Sequence, residues 1–169
     1  MNKNMAIIKN LDNTDNQFVN EIYNNFTNQS GKVPEWVKVM AYCPDILKNF
    51  VNLFDSIMKQ GEIETKLKWK IAYTVSQTLK CEFCLDVTKK MLLKMGGSDN
   101  IDFENNTEEE EEILGLVRAV TEKGYLTDVE KMYKICEELG EAKAVEIVSV
   151  IGLFNYINRF NNMFVVLPE

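Results

Sequence analysis

The 169-residue sequence contains no histidine. Histidine is the commonest general base near neutral pH, so its absence excludes Ser-His-Asp and Cys-His machinery and every metal site that needs an imidazole. Glycine and proline are scarce, at 8 and 3 residues, which argues against a sandwich, a barrel or a long disordered tail. Positive charge is short as well: 19 Lys and Arg stand against 26 Asp and Glu, a net charge of −7. Phosphate binding relies on clustered cations, so no nucleic-acid partner is expected. No stretch approaches the ~18 uninterrupted apolar residues of a membrane span, so no membrane partner is expected either. The opening Met1–Lys9 carries an apolar run of about four residues, against roughly 7–15 in a secretory signal. The expected location is cytoplasmic.

What the chain does have is a 46% hydrophobic content arranged at helical spacing. A chain of this length buries about two-thirds of its unfolded surface and needs no disulfide or metal staple. Asp12 or Thr14 is a candidate cap for a first helix carrying Phe18, Ile22, Tyr23 and Phe26, stopped by Gly31. Pro34 suits the first turn of a second helix, and Pro44 that of a third, which Gly61 ends. In the third, Ile46, Leu47, Phe50, Val51, Phe54, Ile57 and Met58 recur every three or four residues. A fourth runs from about Glu64 to Lys80 and a fifth from about Glu82 to Met95, before Gly96. Ser98 to Asn106 reads as a loop. Thr107 and Glu110 make a capping box for a sixth helix reaching about Lys123. Thr127 to Leu139 is a seventh, and Glu141 to Met163 an eighth, apolar around most of its circumference. The fold expected is all-α, a single-domain bundle of about eight helices, with residues 1–30 as an N-terminal extension to a domain spanning 31–169.

The chemistry is concentrated in Cys81-Glu82-Phe83-Cys84, where the fourth helix gives way to the fifth. Thiols in a cytoplasmic protein are reduced at rest, so a close pair suggests catalysis or metal binding before structure. A helix start offers free N–H groups and a positive dipole end, which favour a thiolate. One thiolate can attack a peroxide or disulfide, and its neighbour can resolve the product. The competing reading is two small buried hydrophobes, since free Cys is often fully buried. A zinc site would need Cys43 and Cys136 as its second pair, and iron–sulfur spacing is not met. No metal and no cofactor is therefore expected, and Cys43 and Cys136 read as packing residues.

The stretch Lys66–Thr88, containing Trp69, Tyr73, Gln77, Cys81, Cys84 and Thr88 and closing at Gly96, resembles the signature of the carboxymuconolactone decarboxylase superfamily, alkylhydroperoxidase D-like branch. Gly31-Lys32-Val33-Pro34 and Cys43-Pro44-Asp45-Ile46-Leu47 are similar to its upstream elements. Phe154-Asn155-Tyr156-Ile157-Asn158-Arg159-Phe160 is similar to its C-terminal segment. The resemblance covers roughly residues 31 to 167. It implies an all-helical fold, a homo-oligomer between dimer and hexamer, and a thiol peroxidase or disulfide reductase in which Cys84 attacks and Cys81 resolves.

The departures are specific. Trp69 and Thr88 stand where the active branch carries the Glu and His of its proton relay. A positioned acid or base typically contributes 10²–10⁴-fold to rate, so peroxide reduction should be slow. Thr88 lies one turn from Cys84, a candidate hydrogen-bond donor to a thiolate. Tyr73 and Gln77 follow Trp69 along the fourth helix as candidate pocket residues, with Trp69 and Tyr73 equally readable as core aromatics. The expected function is a thiol-dependent oxidoreductase acting on a peroxide, a disulfide or another small molecule and recycled by an unidentified thiol electron donor. The alternative is a catalytically silent oligomeric binding protein or redox sensor.

Overall fold

The computed structural model describes residues 7–96, 106–123 and 129–168. Eight helices follow one another among these residues: α1 (Gln17–Ser30), α2 (Glu35–Met40), α3 (Pro44–Met58), α4 (Thr65–Leu79), α5 (Glu82–Lys94), α6 (Glu108–Lys123), α7 (Val129–Leu139) and α8 (Glu141–Phe164). Among the described residues there is no strand. The expected all-α bundle is what forms.

Several boundaries follow the local chemistry read from the sequence. Thr107 and Glu110 close the capping box in both directions: the Glu110 N–H donates to Thr107 Oγ1 at 3.1 Å, and the Thr107 N–H donates to Glu110 Oε2 at 3.2 Å. Pro44 opens α3, where its missing N–H costs nothing. Gly31, at φ 80°, ends α1.

Others differ. The cap of α1 is neither Asp12 nor Thr14 but Asn16, whose Oδ1 accepts from the Val19 N–H at 3.1 Å. Thr14 instead accepts from the Asn16 N–H, and Asp12 pairs with Lys38. Pro34 is the residue before α2 rather than in its first turn. α3 ends at Met58, where Lys59 turns extended, so Gly61 does not stop it. Residues 97–105, most of the expected loop, and Thr127, the expected start of α7, lie outside the described residues.

α4 is the central helix and packs on α5, α6 and α8. Leu67, Trp69, Ile71, Ala72 and Val75 are buried there among Ile113, Leu114 and Val117 of α6 and Ile147, Val150, Ile151 and Phe154 of α8. α1 joins the same core through Val19, Ile22 and Tyr23.

Among the described residues one cation is fully enclosed. Lys68 is 0% exposed, and all three of its ammonium protons are engaged: Glu146 Oε1 at 2.6 Å, the Ile57 carbonyl at 2.7 Å and the Lys59 carbonyl at 2.6 Å. The two carbonyls belong to the end of α3, where helix carbonyls lack partners and a cation is favoured. Glu146 Oε2 accepts from the Ile63 N–H at 2.8 Å. Gly61 lets this carboxylate approach, because a Cβ there would collide with Glu146 Oε1. Burial alone would raise the Glu146 carboxyl, but Lys68 and the Ile63 amide outweigh it and hold the group below its ordinary value.

Breaking one side of such a pair leaves an uncompensated buried charge. Lys68→Met should therefore lower the unfolding free energy by about 3–5 kcal/mol in urea titrations. The Glu146 contribution has a defined pH sense. It is present above the unfolded glutamate value and is lost as pH falls through the lower folded value. The acid limb of wild-type stability should consequently shrink in Glu146→Gln.

Candidate functional site

The cysteine pair is placed by a turn that the chain makes without glycine. α4 ends with Lys80 in the left-handed region at φ 53°, its N–H on the Gln77 carbonyl and the Cys81 N–H on the Ser76 carbonyl, each at 3.2 Å. This is a Schellman closure, which satisfies carbonyls otherwise orphaned at a helix end. The sharp reversal sets Cys81 as the residue that opens α5, its carbonyl accepting from the Leu85 N–H at 2.9 Å. Cys84 is then the third residue of α5, one turn in.

Both thiols are free and enclosed, with Cys81 1% and Cys84 4% exposed. They pack with Val39, Phe83 and Val166, and with Ile8 and Phe164 from the two ends of the chain. The C-terminal end is turned back by Val165, at φ 56°, so that the Val166 N–H meets the Asn161 carbonyl at 3.0 Å. The Ile7 N–H reaches the Phe164 carbonyl at 3.3 Å.

The two sulfurs differ electrostatically. The Cys84 side chain, helped by the Cys84 and Phe83 amides at the helix start, lowers the Cys81 thiol despite its burial. Cys84 is pushed upward by Cys81 and by burial, and the Asn161 amide, with Nδ2 donating to Cys84 Sγ at 3.3 Å, offsets only part of this. The pair thus favours its first negative charge on Cys81.

Cys84 lies on the wall of a cavity of about 310 Å³. Aromatic rings from six helices line it: Phe26 of α1, Trp36 of α2, Phe50 and Phe54 of α3, Trp69 of α4, Phe83 of α5 and Phe154 of α8. The rings brace one another edge to face: Phe26 on Trp36 at 5.9 Å, Trp36 on Phe50 at 5.4 Å and Trp69 on Phe154 at 6.0 Å between centroids.

The residues singled out in the sequence are distributed unequally around this space. Cys84, Thr88 and Trp69 are on the wall; Cys81, Tyr73 and Gln77 are not. Trp69 is a core aromatic and a wall residue at once, 6% exposed against Phe54 and Phe154. Each four-residue step along a helix advances about 40°, so the face of α4 that presents Trp69 has rotated away by Gln77, which is exposed. Thr88 is buried, but its hydroxyl donates to the Cys84 carbonyl at 2.7 Å and the Leu85 carbonyl at 3.2 Å rather than to sulfur. A threonine inside a helix commonly bonds back to the preceding turn in this way. Cys136 packs partly buried against the core, whereas Cys43, expected as a packing residue, is exposed at the start of α3.

Asn161 was not among the sequence candidates. It lies one residue past the C-terminal segment quoted above, is 0% exposed, and stands on the cavity wall. The available signal was a polar side chain on the stripe of α8 that also buries Phe154 and Ile157.

These placements separate two donors to the site. Thr88→Val should leave the rate of Cys84 oxidation by stoichiometric peroxide within about twofold of wild type, since its hydroxyl is spent on backbone carbonyls. Thiol titration over time checks this, and a larger fall would restore Thr88 as a partner of the sulfur.

Residues 44–101 match the model of the carboxymuconolactone decarboxylase family. No curated protein matches the chain in sequence. Solved structures share the fold over nearly its whole length. The debrominase Bmp8 superposes with a TM-score of 0.81 at 22% identity, over 96% of this chain and 92% of that one. A peroxidase-related protein from Silicibacter sp. TM1040 gives 0.83 at 17% identity, over 98% and 92%. An alkylhydroperoxidase AhpD core protein from Ralstonia eutropha JMP134 gives 0.74 at 18% identity, over 89% and 85%.

Proposed function

We propose that the chain, which matches the carboxymuconolactone decarboxylase family over residues 44–101 and shares the fold of alkylhydroperoxidase D-like proteins, is a thiol-dependent oxidoreductase that reduces a small peroxide at Cys84. The observation that carries this reading is Cys84 on the wall of a largely apolar cavity, with Cys81 one turn behind it.

The chain lacks the relay's Glu and His, so the proton of Cys84 needs another acceptor. Cys81, the lower-lying thiol of the pair, is the nearest base. Transfer of the Cys84 proton to Cys81 frees a thiolate at the cavity. That thiolate attacks the terminal oxygen of a hydroperoxide, the O–O bond breaks, and the alkoxide leaves as alcohol with the proton from Cys81. Cys84 is now a sulfenic acid. The Cys81 thiolate attacks its sulfur, hydroxide leaves, and a disulfide closes. An external thiol donor in a reducing cytoplasm returns both cysteines to the dithiol. Reduction of a small disulfide follows the same order, with a thiolate as leaving group.

Mass spectrometry of protein treated with one equivalent of peroxide should show a loss of about two daltons on the Cys81–Cys84 peptide. Cys84→Ser should abolish it, and Cys81→Ser should stop at a sulfenic acid trapped by dimedone. The rate should rise as pH is raised through a midpoint below the ordinary thiol value of roughly 8.5, because the competent pair carries one negative charge. Two intact thiols after mild oxidation would sink the reading. Disulfide formation without turnover in the presence of dithiothreitol would favour a redox sensor.

The aromatic lining supports a second substrate class. Bmp8 is a debrominase, and a cysteine-to-alanine form of it holds 2,3,4-tribromopyrrole. Two thiols can likewise reduce a halogenated ring, the ring gaining a proton, halide leaving and the disulfide closing. Competition between cumene hydroperoxide and a bromopyrrole for the same thiols ranks the two.

The proposal includes a second copy of the chain as partner. Ile46 and Leu53 of α3 and Tyr156 of α8 are about half exposed along a shallow groove between the two helices. Obligate interfaces of this character commonly exceed roughly 2,000 Å². Sedimentation at micromolar concentration should give at least twice the 19.5 kDa of one chain, and Leu53→Glu should lower it.

A further inference from the structure

Asn161 combines three properties. Its side chain is 0% exposed, it lies on the cavity wall, and its Nδ2 is spent on Cys84 Sγ. Its other end, Oδ1, is buried with no hydrogen-bond partner. A buried carbonyl oxygen left without a donor costs about as much as the hydrogen bond it lacks, so such groups are uncommon unless something arrives to satisfy them.

The cavity narrows what can arrive. Its wall carries no Lys or Arg, and its one carboxylate, Asp55, is exposed. A carboxylate or phosphate ligand would be desolvated there without a counter-ion. Seven aromatic side chains line the cavity, and rings favour a flat, polarisable body. A dry cavity of ~150 Å³ suffices for benzene, so one of about 310 Å³ takes a substituted ring.

We infer that Asn161 is the substrate-positioning residue of this site: its amide holds Cys84 with one end and accepts a hydrogen bond from the ligand with the other, so that the cavity selects a compact, uncharged aromatic molecule bearing one N–H or O–H donor. This rests on the reading of the cavity as the place where Cys84 meets its substrate. It assigns what that reading leaves open, namely how a ligand is oriented where no histidine or glutamate is present. Because an amide does not titrate, the orientation is the same on both sides of the thiol transition. A donor next to the reacting atom is held one side chain away from the sulfur.

The test is built into the chain. Trp36 and Trp69 are its only two tryptophans, and both line the cavity. Their fluorescence, excited to the red of phenol absorption, reports occupancy of the resting protein without any turnover. Phenol, anisole and benzoate are the probes: a donor, an acceptor of similar shape and an anion. Phenol should bind about tenfold more tightly than anisole, the size of one buried hydrogen bond to an otherwise unpaired acceptor. Benzoate should bind more weakly than phenol. In Asn161→Ala the preference for phenol should fall below about threefold, with anisole affinity at least as high as in wild type. Asn161→Leu, close in shape, gives the same comparison should the alanine variant fail to fold.

Equal binding of phenol and anisole to wild type overturns the inference, as does no detectable phenol binding. A preference for anisole does the same, since the amide end facing the ligand would then be the donor. So do tight benzoate binding and a phenol preference that survives in a folded Asn161 variant. These outcomes are independent of the redox chemistry. A protein that binds phenol through Asn161 yet forms no disulfide keeps this assignment and loses the oxidoreductase reading, and the converse holds.

Discussion

The Lys68–Glu146 pair is the constraint on which the arrangement of the helices depends. It joins the end of α3, the connection through Gly61 and Ile63, the start of α4 and the first turns of α8 around one enclosed ammonium. A buried ion pair contributes little net stability, because desolvating both charges cancels most of their attraction. Its consequence is for register. Any packing of α4 on α8 that separates the two leaves a charge in the core, and that is far more costly than a misplaced methyl. Trp69 is the residue after Lys68, and Phe154 lies two turns beyond Glu146. Locking the pair also locks the edge-to-face contact between these rings and hence one wall of the cavity.

Enclosure shapes the thiol chemistry as strongly. A low-dielectric site tolerates one negative charge more readily than two, so a buried dithiol separates its proton losses widely. The thiol of the residue that opens α5 is lowered, first by the Cys84 side chain and then by the helix amides. The residue one turn in, among rings, retains its proton. The chain has no histidine to move a proton here, and the Asn161 amide that touches Cys84 does not titrate. The ends of the chain, through Ile8, Phe164 and Val166, pack against the pair.

Much of the fold was legible because its signals are local. Thr107 and Glu110 satisfy each other's backbone within four residues. Pro44 can begin a helix but not continue one, and the apolar spacing of α3, α4 and α8 repeats at the helical period. Cys81 and Cys84 were legible for the same reason. The misjudged positions are those where a local signal competed with a distant one. Gly61 reads as a helix stop, yet it answers to a carboxylate on α8. Asp12 could cap α1, yet it pairs with Lys38 and leaves the role to Asn16. Thr88 could reach a thiolate, yet its hydroxyl is taken by carbonyls one turn back.

By itself the sequence determined the helical class, most helix boundaries and the position of the dithiol at a helix start, since each follows from neighbours three or four residues away. It also determined that no imidazole takes part, since none is present. The tertiary structure alone decided which cysteine faces a cavity, that the cavity is aromatic, and that Lys68 is buried rather than solvated. It alone brought Asn161 to Cys84 across a sequence distance of 77 residues. Those facts depend on which faces of separate helices meet, and long-range meetings are set by the packing of the whole core, where one enclosed charge pair or one bulky ring outweighs the preference of any single segment.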